Sequence, residues 1–198
     1  MATGDKQKLI TELIQTVLNQ KAETNIKFDW FVNKHLQKDF SIYFPIIENI
    51  FEKLKGDTLG SDSKKISKLQ SDAYFGGNLN FLFEFDEFQH FSSFRRQTFE
   101  FYPQNLKLNF SREQWITFCE INTLRADKYR QSKQTKDFSF VGGRTAQRAY
   151  LDCFRDLFPQ INGLNPTLRF NEFEVNGIDR NNLDNCKKIE KLLLIKLG

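Results

Sequence analysis

Residues 71–91 read SDAYFGGNLNFLFEFDEFQHF, with two apolar runs on either side of a Gly-Gly-Asn turn. The runs cover residues 69–75 and 79–88, and the turn occupies residues 76–78. Glycine readily supplies the positive φ angles that tight hairpin turns require. The stretch therefore predicts two antiparallel strands, and this hairpin decides the fold.

Side chains along the second predicted strand alternate between its two faces. Phe81, Phe83 and Phe85 share one face and are predicted to lie in the core. Glu84 and Asp86 share the other face, so their carboxyl groups are expected about 6.6 Å apart along the strand. The pattern thus predicts two acids side by side beside an apolar core.

Two carboxylates this close repel each other in an apolar setting, so either one is protonated or a cation holds them together. A third acid, Asp72, lies on the partner strand and is expected to meet Glu84 and Asp86 across the hairpin. Oxygen ligands suit Mg²⁺ or Mn²⁺ better than zinc. We therefore expect these three acids to bind Mg²⁺, with Mn²⁺ able to substitute for it.

The order of these residues resembles the PD-(D/E)XK, or restriction-endonuclease-like, nucleases. In those proteins a hairpin carries an acid on one strand and an acid-x-basic pair on the next. Asp72 followed by Glu84-Phe85-Asp86 matches this spacing, with an acid at the basic position. The same replacement recurs in the very-short-patch-repair endonuclease-like branch, whose strand has the form E-x-D-x-x-x-H. Glu84, Asp86 and His90 fit that form.

Two more motifs of that branch occur downstream, in the same order. The branch has a helix with D-x-x-R, which matches Asp152 and Arg155, and then a glycine, which matches Gly163. Its final strand has the form R-F-x-x-x-E-V, which matches residues 169–175. The resemblance therefore extends to the second half of the chain.

The resemblance implies an α/β fold with a restriction-endonuclease-like mixed central sheet flanked by helices, an N-terminal helical layer and a helical insertion. It covers residues 69–102 and 144–176, and the short relatives lack the insertion between them. The expected organisation is a single nuclease domain over 1–198, made up of a helical layer at 1–56, the two core segments, the insertion at 103–143 and a C-terminal helix at 179–197.

The resemblance also implies a Mg-dependent endodeoxyribonuclease that hydrolyses phosphodiester bonds in DNA. Restriction or another defence against foreign DNA is the expected role, and mismatch-directed nicking is the other one suggested. Asp72 and Glu84 are expected to bind the metal, and Asp86 to bind it or orient the attacking water. His90 is expected to act as general base or proton relay, because the usual lysine is missing and imidazole titrates near neutrality. Gln89 is expected to hydrogen-bond the water or turn into the core.

The candidates for contacts with DNA phosphates are Arg95, Arg96, Arg144, Arg148 and Arg155. The first two directly follow the predicted catalytic strand, where a guanidinium can grip a phosphate. Arg144 follows a glycine pair at a predicted helix start, where backbone N–H groups favour an anion, and a simple turn is the alternative. The last two form a polar stripe with Asp152, which we expect to orient an arginine. A solvated, salt-bridged helix face is the alternative for this stripe.

Apolar residues at helical spacing predict the other elements. Pro45 stands near the first turn of one of these helices, where proline is tolerated. A polar connection is expected at 56–68 and a strand at Thr167–Phe170. His35 is expected to be an ordinary exposed residue. The predicted helices cover residues 5–21, 28–37, 42–55, 112–132 and 145–158.

The net charge of +4, from 29 basic and 25 acidic residues, permits a nucleic-acid partner without demanding one. Cys119, Cys153 and Cys186 show neither a zinc spacing nor a disulfide framework, which indicates a cytoplasmic protein. The apolar runs are too short for a membrane span. DNA is therefore the expected partner, and a homodimer is left open. The alternative is a catalytically inactive nucleic-acid-binding or protein-interaction domain of the same fold, which the acid at position 86 favours.

Overall fold

A computed structural model describes residues 4–35, 41–179 and 184–198. Within these residues the chain is mixed α/β, with seven α-helices and a three-stranded sheet. No helix among them is long and apolar enough to cross a membrane. The helices are α1 (Asp5–Leu18), α2 (Phe44–Lys53), α3 (Thr58–Ser63), α4 (Ser93–Thr98), α5 (Arg112–Lys128), α6 (Gly143–Ile161) and α7 (Asn185–Leu197). The strands are β1 (Ala73–Phe75), β2 (Phe81–Asp86) and β3 (Asn165–Asn171).

The sheet has the order β1-β2-β3, with β1 antiparallel and β3 parallel to the central strand. The predicted hairpin is therefore confirmed. A parallel pair needs a crossover connection, and here the crossover from β2 to β3 includes α6. The register sets Glu84 opposite Arg169 and Asp86 opposite Asn171. Residues from two distant sequence motifs thus become neighbours on adjacent strands.

The predicted alternation along β2 is also confirmed. Phe81, Phe83 and Phe85 lie in a core cluster with buried residues of α1, β3 and α7. Leu82 points to the opposite face, into a second cluster built largely from α2, α5 and α6. Helices therefore cover both faces of the sheet, and Glu84 projects on the Leu82 side, toward α6.

Two consecutive glycines allow α6 to begin where it does. Gly142, the residue before the helix, has a φ of 91°, which a residue with a side chain rarely adopts. At Gly143 a Cβ atom would lie 1.9 Å from the carbonyl oxygen of Phe138, so only glycine fits. Arg144 therefore enters the first turn of α6 from a tightly packed loop.

The predicted helix at 28–37 is wrong over its described part, which is irregular up to residue 35. Val32 instead forms an antiparallel bridge with Lys68. The side-chain oxygen of Asn33 accepts the backbone N–H of Ser67 at 2.9 Å. Side chain to backbone bonds of this kind offer the chain an alternative to a helix. The last two residues of the prediction lie outside the described residues.

The remaining predicted helices differ from the structure mainly at their ends. The one predicted at 5–21 ends at Leu18, and Pro45 lies in the first turn of α2, as expected. The connection at 56–68 contains the short helix α3, whose N-cap Asp57 accepts the backbone N–H of Gly60 at 2.8 Å. The helix predicted at 179–197 begins at Asn185, and residues 180–183 lie outside the described residues.

The predicted insertion at 103–143 contributes α5, which packs on α4 and on the 3₁₀ turn Phe88–His90. Trp115 of α5 is fully buried in the cluster on the Leu82 side of the sheet. The insertion is therefore part of the core and lies against the turn that carries the predicted catalytic histidine.

A candidate active site between the hairpin and helix α6

A pocket of about 240 Å³ lies between the β1–β2 hairpin and the first half of α6. It brings together most of the residues that the sequence predicted for the site. Its acidic side chains are Asp72, Glu84, Glu87 and Asp152. Its basic side chains are His90, Arg144, Arg148 and Arg155. The pocket thus offers groups for both a cation and an anion.

Glu84, which is buried, and Asp72, which is half-buried, form one acidic wall of the pocket. One oxygen of Asp72 accepts the backbone N–H of Phe85 at 2.7 Å. Oε1 of Glu84 lies 2.8 Å from Nε of Arg155, but the N–H is not aligned with it, so the contact is an ion pair without a directed hydrogen bond. Burial raises the pKa of Asp72, and it raises the pKa of Glu84 well above its usual range despite the nearby Arg155. Both acids therefore favour a proton or a cation.

Asp86, the third predicted metal ligand, lies behind the pocket and is 1% exposed. Its Oδ1 lies 2.7 Å from Nη1 of Arg169, and its Oδ2 accepts the indole N–H of Trp115 at 2.8 Å. The same Oδ1 lies 3.5 Å from Nδ1 of His90. Both oxygens of Asp86 are thus engaged by protein groups, which suits a residue that orients its neighbours.

His90 is held by an acid of α6. Its Nδ1 lies 2.9 Å from Oδ2 of Asp152, and its side chain is 21% exposed in the pocket. Although burial favours the neutral acid, His90 and Arg169 lower the pKa of Asp152 below its usual range. An ionised Asp152 accepts a hydrogen bond from Nδ1–H, which leaves Nε2 of a neutral ring free to accept a proton. This arrangement suits a general base.

Arg155, a predicted phosphate ligand, is directed mainly toward the protein. Its Nη1 donates to the carbonyl of Leu151 at 3.1 Å, and its Nη2 donates to the carbonyl of Gln70 at 3.0 Å. Its remaining nitrogen lies against Glu84. The residue therefore lines the pocket mainly as the partner of that acid.

Arg95 requires a correction, because its side chain is 1% exposed and does not reach the surface. Its Nη2 lies 2.5 Å from Asp156, and its Nη1 donates to the hydroxyl of Tyr102 at 2.9 Å. Asp156 also accepts a 2.7 Å bond from Nε of Arg169. A guanidinium enclosed in this way cannot contact DNA, so Arg95 is a buried structural cation.

The other predicted residues divide between the pocket and the surface. Arg96 lies outside the pocket and donates to Glu120 at 3.1 Å. Gln89 does not line the pocket, and its side chain donates to Glu87 at 2.5 Å. Arg148 lines the pocket and donates to the carbonyl of Gln89 at 3.1 Å. Arg148 and Arg144 are thus the predicted phosphate ligands that remain well placed.

The buried polar network behind the pocket contains more acids than arginines. Its buried carboxyl groups belong to Glu84, Asp86, Asp152 and Asp156, with the half-buried Asp72 at its edge, and its guanidinium groups belong to Arg95, Arg169 and the half-buried Arg155. His90 adds one positive charge when it is protonated. Unpaired buried charge is costly. The excess carboxylate therefore needs protons or a cation, and burial raises the pKa of Asp72 and of Glu84, two of the acids that line the pocket.

Among residues 4–35, 41–179 and 184–198, no group of three or more His, Cys, Asp or Glu side chains is arranged to hold a metal ion. A cation bound to Asp72 and Glu84 would therefore need water or substrate as its other ligands. Mg²⁺ commonly binds through one or two carboxylates, with water and substrate phosphates as the other ligands. The pair is compatible with that mode of binding.

Comparisons with protein-family models, with curated proteins and with solved structures found no match to this chain.

Several residues of the site were not predicted from the sequence. Trp115 lies on the predicted helix at 112–132 and belongs to none of the motifs, although its indole N–H bonds to Asp86. Glu87 directly follows the E-x-D pair but falls outside the motif, and it lines the pocket. Asp156 follows Arg155 and holds two buried arginines. These roles come from contacts between distant parts of the chain, which bring α5, α6 and the end of β2 together.

The central cation of the network is Arg169, which is fully buried and contacts Asp86, Asp152 and Asp156. Replacing it with methionine should lower the free energy of unfolding by about 3–5 kcal/mol, because buried acids lose their partner. Urea unfolding measures this change. The control is Arg96→Met, which removes an exposed ion pair and should cost at most about 1 kcal/mol. Equal effects of the two variants would show that the buried network does not stabilise the fold.

Proposed function

We propose that the chain is a metal-dependent DNA endonuclease with a restriction-endonuclease-like fold and its active site in the pocket. The observation that carries the proposal is that Asp72 and Glu84 share one pocket with His90, Arg144 and Arg148. Hydrolysis of a phosphodiester needs a bound cation, a base for the attacking water and positive charge near the phosphate. The pocket supplies residues for all three.

The pairing of the sequence motifs supports the same proposal. Glu84 contacts Arg155 of D-x-x-R, and Asp86 contacts Arg169 of the final strand. His90 contacts Asp152 of D-x-x-R. Motif residues that are far apart in the chain thus contact one another pairwise. Such contacts are not expected if the motifs match this sequence only by chance.

Asp72 and Glu84 are the residues that would hold Mg²⁺ or Mn²⁺, which fits the excess of buried carboxyl groups. The ion would lower the pKa of a bound water and neutralise charge in the transition state. His90 takes the proton from the attacking water while Asp152 fixes the orientation of its ring. Arg144 and Arg148 bind the phosphate oxygens. Asp86 orients His90 and Arg169, and is not a metal ligand in this proposal.

Restriction or defence against foreign DNA is the role we propose for this activity, in the cytoplasm, and mismatch-directed nicking is the other role. A second candidate function is an inactive nucleic-acid-binding domain of the same fold. The ion pair between Glu84 and Arg155 favours it, because Arg155 already compensates part of the acid's charge.

Cleavage of supercoiled plasmid distinguishes these two functions. The purified protein should nick or linearise plasmid in Mg²⁺ or Mn²⁺ and should leave it intact in EDTA. Binding is measured in parallel by the mobility shift of a short duplex in EDTA. A protein that shifts the duplex but never cuts plasmid with either metal would establish the binding domain instead.

Metal affinity should depend on pH. Burial raises the pKa of both Asp72 and Glu84, so these acids keep their protons to a higher pH than exposed carboxyl groups do, and a cation must displace those protons. The apparent Kd for Mn²⁺ should therefore weaken by about tenfold per pH unit for each proton displaced, once the pH falls below the raised pKa. Titration calorimetry from about pH 8 to about pH 5 measures this. A constant Kd over the range would contradict binding at these acids.

A further inference from the structure

Arg144 is held at the pocket by a chain of hydrogen bonds behind it. Its Nη1 donates to the side-chain oxygen of Gln147, one turn further along α6, at 2.5 Å. The amide nitrogen of Gln147 donates in turn to Oδ1 of Asp137 at 2.7 Å. Gln147 and Asp137 are 7% and 1% exposed, and Arg144 lines the pocket. The chain thus connects the protein interior to the pocket wall.

The inner end of this chain is electrically compensated. Oδ2 of Asp137 lies 2.6 Å from Nζ of Lys64, which follows α3. The backbone carbonyl of Asp137 also accepts the N–H of Asp57 at 2.9 Å. Asp137 is therefore fixed from two sides, and Lys64 compensates its negative charge. An amide between fixed partners has one favourable orientation, with its oxygen toward Arg144.

The position of Arg144 is unusual in electrostatic terms. It lies in the first turn of a 19-residue helix, where the helix dipole disfavours a cation. An acid at position 147 would satisfy the guanidinium but would also neutralise it. Gln147 supplies a neutral acceptor instead, which orients Arg144 and leaves its positive charge available. This choice suits a residue that must bind an anion in the pocket.

We propose that Gln147 is a positioning residue, held by Asp137 and Lys64, that keeps the guanidinium of Arg144 aimed for a phosphate oxygen of the nucleic-acid backbone. The inference rests on the proposed function, because it assumes that a backbone phosphate enters the pocket. It adds that Arg144 is already oriented before the phosphate binds, and that this orientation depends on residues that do not line the pocket. The affinity for nucleic acid should therefore depend on the buried side-chain amide of Gln147.

The test compares Gln147→Met, Arg144→Ala and the double variant. Methionine keeps the length of the side chain and removes both hydrogen bonds. The matched control is Gln160→Met on the same helix, where the amide donates to the carbonyl of Lys107 at 2.9 Å. Duplex affinity is measured in EDTA at several salt concentrations. Each lost phosphate contact flattens the slope of log affinity against log salt by about 0.9.

We expect Gln147→Met and Arg144→Ala to flatten the slope by a similar amount and the double variant to go no further. Gln160→Met should match the wild type. A wild-type slope in Gln147→Met beside a flattened slope in Arg144→Ala would overturn the positioning role. An unchanged slope in Arg144→Ala would also overturn it, because no phosphate would then contact Arg144. Should Gln147→Met fail to fold, Gln147→Ala replaces it, since alanine suits a helix.

A second readout separates this inference from the proposed function. Inorganic phosphate is titrated into the protein while the Nε–H signal of Arg144 is followed by NMR. The signal should shift in the wild type and in Gln160→Met, and should shift less in Gln147→Met. This result would support the positioning role even in a protein that never cuts plasmid. Equal shifts in all three proteins would overturn the role, even in a protein with full nuclease activity.

Discussion

Replacing Glu84 with glutamine should reduce metal-dependent cleavage by about two to three orders of magnitude, the scale of losing a group that stabilises transition-state charge. Glutamine keeps the shape of the side chain but cannot hold a cation through a charge. Glu84 is 5% exposed and is one of the four acids that line the pocket. Duplex binding in EDTA should stay close to the wild type, because Arg144 and Arg148 remain. Plasmid cleavage in Mg²⁺ and a mobility shift in EDTA measure the two effects.

The matched control is Glu120→Gln on the outer face of α5. Glu120 pairs with Arg96 at the surface and lies outside the pocket. Its removal should leave both cleavage and binding unchanged. A Glu84→Gln variant that still cuts at the wild-type rate would contradict the assignment of this acid.

Replacing His90 with alanine should lower the cleavage rate by about two to four orders of magnitude, the usual range for a proton-transfer group. With the metal held at saturation at every pH, the remaining activity should depend less steeply on pH between about 8 and about 5 than the wild-type activity does. Asp152→Asn removes the acid that orients the ring of His90, and this variant should also cleave more slowly than the wild type. Single-turnover rates across this pH range measure both variants.

The other histidine of the chain provides the control. His35 is half-buried and hydrogen-bonds the hydroxyl of Tyr150, so it is not the ordinary exposed residue that the sequence suggested. His35→Ala should lower the melting temperature and leave the pH profile of cleavage unchanged. A pH profile that is flat in the wild type, or the same in His90→Ala, would argue against a base role for His90.

Local sequence patterns predicted the sheet well. The period of two along β2 separates Phe83 from Glu84 because one face of the strand is packed in an apolar core. The turn at 76–78 sets the hairpin register, and Pro45 marks the first turn of α2. These features depend on the conformation of a few neighbouring residues. The predicted helix at 28–37 failed because Asn33 bonds to a segment more than thirty residues away.

The site was harder to predict, because its contacts join distant parts of the chain. Arg95 and Arg96 are adjacent and chemically identical, yet one is buried against Asp156 and the other is at the surface. Their difference comes from the packing of α4 on α6, which no local pattern encodes. In the same way, Asp86 looked equivalent to Glu84 on the strand. The structure shows that its oxygens are already engaged, one by Arg169 of β3 and the other by the indole of Trp115 from the insertion.

The central claim is that Asp72 and Glu84 together hold a divalent cation in the pocket beside His90. Crystals soaked in Mn²⁺ and measured near the manganese absorption edge test it most directly. We predict an anomalous peak that contacts a carboxylate oxygen of each acid and that is missing from crystals of Glu84→Gln. A fully soaked crystal with no peak in the pocket, or with one bound only at other residues, would contradict the claim.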